Sequence, residues 1–123
     1  MNTITSFKIK RMSPQLLVTD IDRSVDFYKK KLGFDVDFRY EDFYSGIIKD
    51  GYSIHLKSDE SPSGKRKDNE YLDILFSVDG IKDLYEELLS KSVEIIQTLR
   101  DMPYGKEFYV ADPDGNILAF IET

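Results

Sequence analysis

Gly105-Lys106-Glu107-Phe108-Tyr109-Val110-Ala111-Asp112-Pro113-Asp114-Gly115-Asn116-Ile117-Leu118-Ala119-Phe120 carries one apolar run into a Pro-Asp-Gly-Asn turn and a second run out of it. Two such runs around such a turn predict a hairpin. Pro113 presets φ at the first corner, Gly115 or Asn116 accepts a positive φ, and Asp112 can bond back to the turn backbone. That turn role accounts for Asp112 and Asp114 without any carboxylate chemistry. Glu107 alternates with Tyr109, opposite Phe108 and Val110, which leaves open the pair that faces inward.

Working outward, the same grammar occurs twice. Gln15–Thr19 is apolar and strand-like, and Asp20 or Asp22 can cap a helix running to about Lys31. Ile21, Val25, Tyr28 and Leu32 recur at helical spacing, and Gly33 ends the helix. Phe34, Val36, Phe38 and Tyr40 alternate with Asp35, Asp37 and Arg39, which predicts a half-buried strand with those four on one face. Tyr44–Lys49 and Tyr52–Lys57 flank Asp50-Gly51, the strongest short hairpin signal in the chain.

Ser58–Glu70 is polar, with Lys65-Arg66-Lys67 inside it, and predicts a solvated loop. A second module starts at about Tyr71. Leu72–Val78 predicts a strand, and Asp79 a cap for a helix whose apolar face is Ile81, Leu84, Tyr85, Leu88 and Leu89. Glu94–Leu99, Glu107–Ala111 and Ile117–Glu122 predict three strands. The pattern is βαβββ twice, over about 13–57 and 71–123, in one α+β domain spanning 1–123. Two four-stranded mixed sheets of this kind make a curved cleft, and small molecules bind in such concavities.

Bulk properties narrow the function. A length of 123 residues suffices for one core. Without Cys there is no disulfide, thiolate nucleophile or Cys metal site. No apolar run approaches the ~20 residues of a membrane span. The N-terminal residues lack the apolar stretch of a signal peptide, so a cytoplasmic protein is expected. The net charge of −6 comes wholly from the second half, which disfavours nucleic acid and suits cationic ligands. No Gly-x-Ser-x-Gly or phosphate loop is present.

The Leu17-Val18-Thr19-Asp20-Ile21-Asp22-Arg23-Ser24-Val25-Asp26-Phe27-Tyr28 stretch, Leu32-Gly33-Phe34 and the closing Asp112-Pro113-Asp114-Gly115-Asn116 hairpin together resemble the vicinal oxygen chelate superfamily. That superfamily holds glyoxalase I, bleomycin-resistance proteins and extradiol dioxygenases. Gly46, Ile54-His55-Leu56, Ile81–Tyr85 and Gly105-Lys106-Glu107-Phe108 look most like the bleomycin-resistance branch. The resemblance implies a homodimer of paired βαβββ modules. In the enzymes it implies a divalent metal held by His, Glu or Gln on the first and last strand of each module. Those positions fall here on Ser13, His55, Asp73 and Ala119. Ala119 has no donor and Ser13 is a poor one, which leaves His55 and Asp73 as a two-point remnant.

The expectation is therefore a binding protein without a metal cofactor, which sequesters a small organic ligand, cationic or aromatic. The alternative is a metal-dependent glyoxalase-like lyase or isomerase, or a dioxygenase. His55 is the sole histidine and shares a strand face with Ser53 and Lys57. Asp73, unusual among apolar strand residues, is expected to pair with His55 or Lys57 or to meet a cation. Eight Tyr and eight Phe supply flat faces, and Phe38, Tyr40, Phe43, Tyr109, Glu107, His55 and Asp73 are the candidate cleft residues.

Overall fold

A computed structural model describes residues 6–59 and 72–123. Strand β1 (Gln15–Val18) leads into helix α1 (Ile21–Leu32), then β2 (Asp35–Tyr40), β3 (Tyr44–Lys49) and β4 (Tyr52–Ser58). The order repeats with β5 (Ile74–Ser77), α2 (Ile81–Ser90), β6 (Glu94–Met102), β7 (Gly105–Ala111) and β8 (Ile117–Glu122). Each module makes one four-stranded mixed sheet, ordered β1-β4-β3-β2 and β5-β8-β7-β6. The first strand of each lies parallel to the last, and the other pairs are antiparallel. Most of the sequence expected as the loop Ser58–Glu70, including Lys65-Arg66-Lys67, lies outside the described residues.

Local chemistry sets the ends of α1. The Asp20 carboxylate, rather than that of Asp22, accepts the Arg23 N–H at 3.1 Å, and Gly33 closes the helix at φ 78°. The start of α2 departs from expectation. Its N-cap is Gly80, with no bond from its own neighbours' side chains, and not Asp79. The free amides of Gly80 and Ile81 are met instead by the Glu122 carboxylate, at 3.2 and 2.9 Å, from the end of β8. Those two bonds hold the Glu122 carboxyl below its ordinary value.

Helix α1 buries Ile21, Val25 and Tyr28, and α2 buries Ile81 and Leu88, against Leu16, Val18, Ile47, Ile54, Leu56, Phe108, Val110, Leu118 and Phe120. These belong to one core shared by both modules, each large side chain contributing about 1.5–3 kcal/mol. Phe108 lies under Tyr85 of α2, so Phe108 and Val110 face inward and Glu107 and Tyr109 take the opposite face of β7.

The closing turn does more than reverse the chain. Asp112 Oδ1 accepts the Asp114 and Asn116 N–H groups, both at 2.9 Å, and Gly115 adopts φ 83°. Beyond that expected role, both carboxylates reach the first module. Asp112 accepts the Tyr28 hydroxyl at 2.8 Å. Asp114, 3% exposed, accepts the Thr19 N–H and hydroxyl at 3.0 and 2.8 Å and pairs with Arg23 at 3.1 Å. The turn role alone therefore does not explain these two residues, because they also fasten the modules together. Among the described residues no helix is long and apolar enough to cross a membrane.

Candidate functional site

The expected alternation of β2 fails at one point, and that failure builds the site. Val36 pairs with Ile47, whereas Phe38 pairs with the next residue back, Gly46, so a bulge lies between them. Neighbouring positions on β3 face opposite ways, so Val36 shares a face with buried Ile47 while Phe38 and Tyr40 turn to the other face. There they join His55, because Gly46 pairs with His55 across β3 and β4. Phe34, expected on the same face as Phe38, packs instead against Tyr28 in the core.

The result is an aromatic platform. Phe38 meets His55 edge-on at 5.2 Å, stacks beside Tyr44 at 5.9 Å and touches Tyr40 at 5.6 Å. Tyr40 stacks on Phe43 at 6.5 Å, and these two are 59% and 56% exposed. A side chain at Gly46 would collide with the Phe38 ring, so the ring lies flat on the strand only because Gly46 has no Cβ. Four of the sequence candidates, Phe38, Tyr40, Phe43 and His55, are thus brought together.

The His55 ring is held on one side only. Tyr44 Oη lies 2.7 Å from Nδ1, and the Gln15 amide nitrogen donates to the same Oη at 3.1 Å. Nε2 is buried and has no hydrogen-bond partner among the described residues. Buried polar atoms are seldom left so.

Glu107 and Tyr109 lie on the other sheet. The buried Glu107 carboxylate accepts Arg100 Nε and Nη2 at 2.8 and 2.6 Å, the Tyr104 hydroxyl at 2.6 Å and the Tyr109 hydroxyl at 3.2 Å. Arg100 also lies over the Tyr109 ring, 5.7 Å from its centre. Burial alone would raise the Glu107 carboxyl, but the bonds from Tyr104, Arg100 and Tyr109 outweigh it and hold it below its ordinary value. Its negative charge is already met by a guanidinium.

Asp73 has a backbone role that the sequence did not indicate. It stands at the head of β5, where its carboxylate accepts the Ile117 N–H at 2.7 Å and its own N–H donates to the Ile117 carbonyl at 2.8 Å. A short acceptor at a strand start satisfies an otherwise unpaired ladder amide, which explains an Asp there. His55 bonds to Tyr44 instead.

A family model described as Glyoxalase/Bleomycin resistance protein/Dioxygenase superfamily matches residues 8–120. The chain belongs to this superfamily. It is 29% identical to a bleomycin resistance protein of Geobacillus stearothermophilus, over 89% of this chain and 93% of that one. Its fold superposes on the bleomycin-binding protein of Streptomyces verticillus complexed with copper(II)-bleomycin, with a TM-score of 0.73, 24% identity and coverage of 95% and 98%. It also superposes on lactoylglutathione lyase from Agrobacterium tumefaciens, with a TM-score of 0.72, 15% identity and coverage of 90% and 91%. One superfamily fold therefore spans a binder and an enzyme, and the side chains must decide between them.

The residues at the superfamily's metal positions do not fit a dication. Ser13 is hydrogen-bonded to Ser53, Asp73 holds the Ile117 amide, and Ala119 has no donor atom. His55 contributes one nitrogen. Among the described residues, no three His, Asp or Glu side chains gather as a metal-binding group. Tyr44 and Gln15 were absent from the candidate cleft set, although the two-residue Asp50-Gly51 turn fixes the register that puts Gly46 opposite His55. Arg100 carried no comparable signal. Arg100 reaches Glu107 from β6, whose pairing with β7 is irregular between Gln97 and Arg100, and Tyr104 reaches it from the turn between β6 and β7.

Proposed function

We propose that this protein is a cytosolic small-molecule binding protein, a homodimer that sequesters a toxic or antibiotic ligand without a metal. The observation that carries the reading is the aromatic platform of Phe38, Tyr40, Phe43 and Tyr44 around His55. Exposed Tyr and Phe faces on one sheet surface suit stacking on a flat or cationic molecule, a task that needs no reacting group. The likeness to a bleomycin resistance protein and to a bleomycin-binding protein supports the same ligand class. Glu107 and Tyr109 belong to the second sheet, and in a homodimer they face a platform or flank it as a second ligand wall. The poor donor set at Ser13, His55, Asp73 and Ala119 supports binding over metal-assisted turnover.

The test is a thermal-shift and calorimetric screen of untagged protein with bleomycin, copper(II)-bleomycin and flat cationic antibiotics. A stabilising ligand is expected, and Tyr40→Ala together with Phe43→Ala is expected to weaken it about tenfold or more, since each stacked ring contributes about 0.5–1.5 kcal/mol. Absence of any binding, with hemithioacetal isomerisation or ring cleavage by nickel-, zinc-, manganese- or iron-loaded protein, would overturn the reading in favour of the enzyme.

A further inference from the structure

We propose that the Nε2–H of His55 is the polar anchor of the platform, and that it selects flat ligands whose ring carries a hydrogen-bond acceptor. This rests on the binding-protein reading above and adds the ligand chemistry to it. The inference follows from the order of donors around one phenol. The Gln15 amide nitrogen donates to Tyr44 Oη at 3.1 Å, so the phenolic proton is free for His55 Nδ1 at 2.7 Å. With that proton assigned to this contact Nδ1 is the acceptor, and a neutral imidazole carries its own proton on Nε2. Two neighbouring strands bring the three groups together: β1 places Gln15 beside His55, and β3 places Gly46 beside it with Tyr44 two residues away on the same face.

Nε2–H is consequently a buried donor without a partner among the described residues. Leaving such a donor unmade opposes folding, which singles it out as a place for an external acceptor. Two rings pack against the imidazole, Tyr44 and Phe38. Tyr44 is tied by Gln15 and His55. Phe38 has no polar tie, sits on the edge strand β2 beside a bulge, and rests on Gly46. Phe38 is thus the ring free to swing aside, and a ligand ring that takes its place meets Nε2–H on one side and Tyr40 on the other. A fixed donor rejects a ligand that offers only another donor. Gln15 and Tyr44 are positioning residues, acting through the imidazole.

The experiment compares quinoline, whose ring nitrogen accepts, with indole, a flat bicycle of similar size whose N–H only donates. Nitrogen NMR of the isotope-labelled protein reads the single imidazole without ambiguity, and the same titrations give affinities. The proton is expected on Nε2 in the free protein. Quinoline is expected to move that resonance and to bind about fivefold or more tightly than indole, the effect of one added hydrogen bond. His55→Phe keeps a ring and removes the donor, and it should make the two compounds equal. Tyr44→Phe should release the fixed tautomer and reduce the preference. A proton found on Nδ1, a resonance unmoved by millimolar quinoline, or a preference that persists in His55→Phe would overturn the proposal. The wild-type spectra decide even if a variant fails to fold. An antibiotic that stabilises the protein without moving the Nε2 resonance would uphold sequestration and overturn this anchor. A quinoline response without antibiotic binding would do the reverse.

Discussion

The Tyr28 hydroxyl donates to the Asp112 carboxylate at 2.8 Å, so that the helix of the first module and the closing turn of the second share one buried hydrogen bond. Burial above all, and then the Asp112 charge, raises the Tyr28 phenol well above its ordinary value of 10.0. The folded chain therefore keeps this proton where the unfolded chain loses it. The stability it contributes is complete below the ordinary value and declines as pH rises past it. Tyr28→Phe should cost about 1–3 kcal/mol in urea unfolding at neutral pH, because Asp112 loses a partner. It should also flatten the alkaline limb of stability against pH. An unchanged alkaline limb would place the titrating group elsewhere.

Glu107 gives the opposite limb. Although burial pushes its carboxyl up, the bonds from Tyr104, Arg100 and Tyr109 hold it below the ordinary 4.5. Its contribution is thus present above that value and lost as pH falls through the lower folded value. Glu107→Gln should destabilise by about 1–3 kcal/mol at neutral pH and much less in acid. Equal losses at both pH values, read from denaturant midpoints, would contradict this.

Gly46 is where the platform meets the backbone. Gly46→Ala should push Phe38 off its seat and cost about 1–3 kcal/mol, as overpacking does. Ring-current shifts at His55 would report the displacement. A variant as stable as wild type, with unmoved shifts at His55, would mean that Phe38 does not rest on Gly46.

Metal content follows from the donor set. Elemental analysis of untagged protein, as isolated and after incubation with nickel, zinc, manganese and iron, should give far less than one metal per chain. A chelator should leave the melting temperature unchanged. One metal per chain would overturn the metal-free reading and direct attention to lyase and dioxygenase assays.

The βαβββ repeat, both helices and the Asp50-Gly51 hairpin could be read from the sequence because each rests on local rules of periodicity, caps and turns. The bulge at Val36 and Phe38 could not. Its signature is one residue of register, and the alternating Phe34-to-Tyr40 pattern satisfies an unbroken strand equally well. The backbone role of Asp73 was hidden for a related reason. An Asp among apolar residues marks an unusual need, but only the fold shows that the Ile117 amide is part of that need. The cap of α2 illustrates the same limit, because Glu122 is brought to Gly80 by the sheet and not by sequence proximity.

The contact between Thr19 and Asp114 joins positions 95 residues apart. During synthesis the start of α1 therefore emerges long before the carboxylate that receives its free amide and hydroxyl. Until position 114 leaves the ribosome, the nascent first half must wait with Thr19 unfastened and its core half-covered, a state that invites capture by chaperones. The order of translation thus makes the last hairpin a latch, and slow decoding within Gly105–Phe120 should prolong the vulnerable interval more than slow decoding within the first sheet.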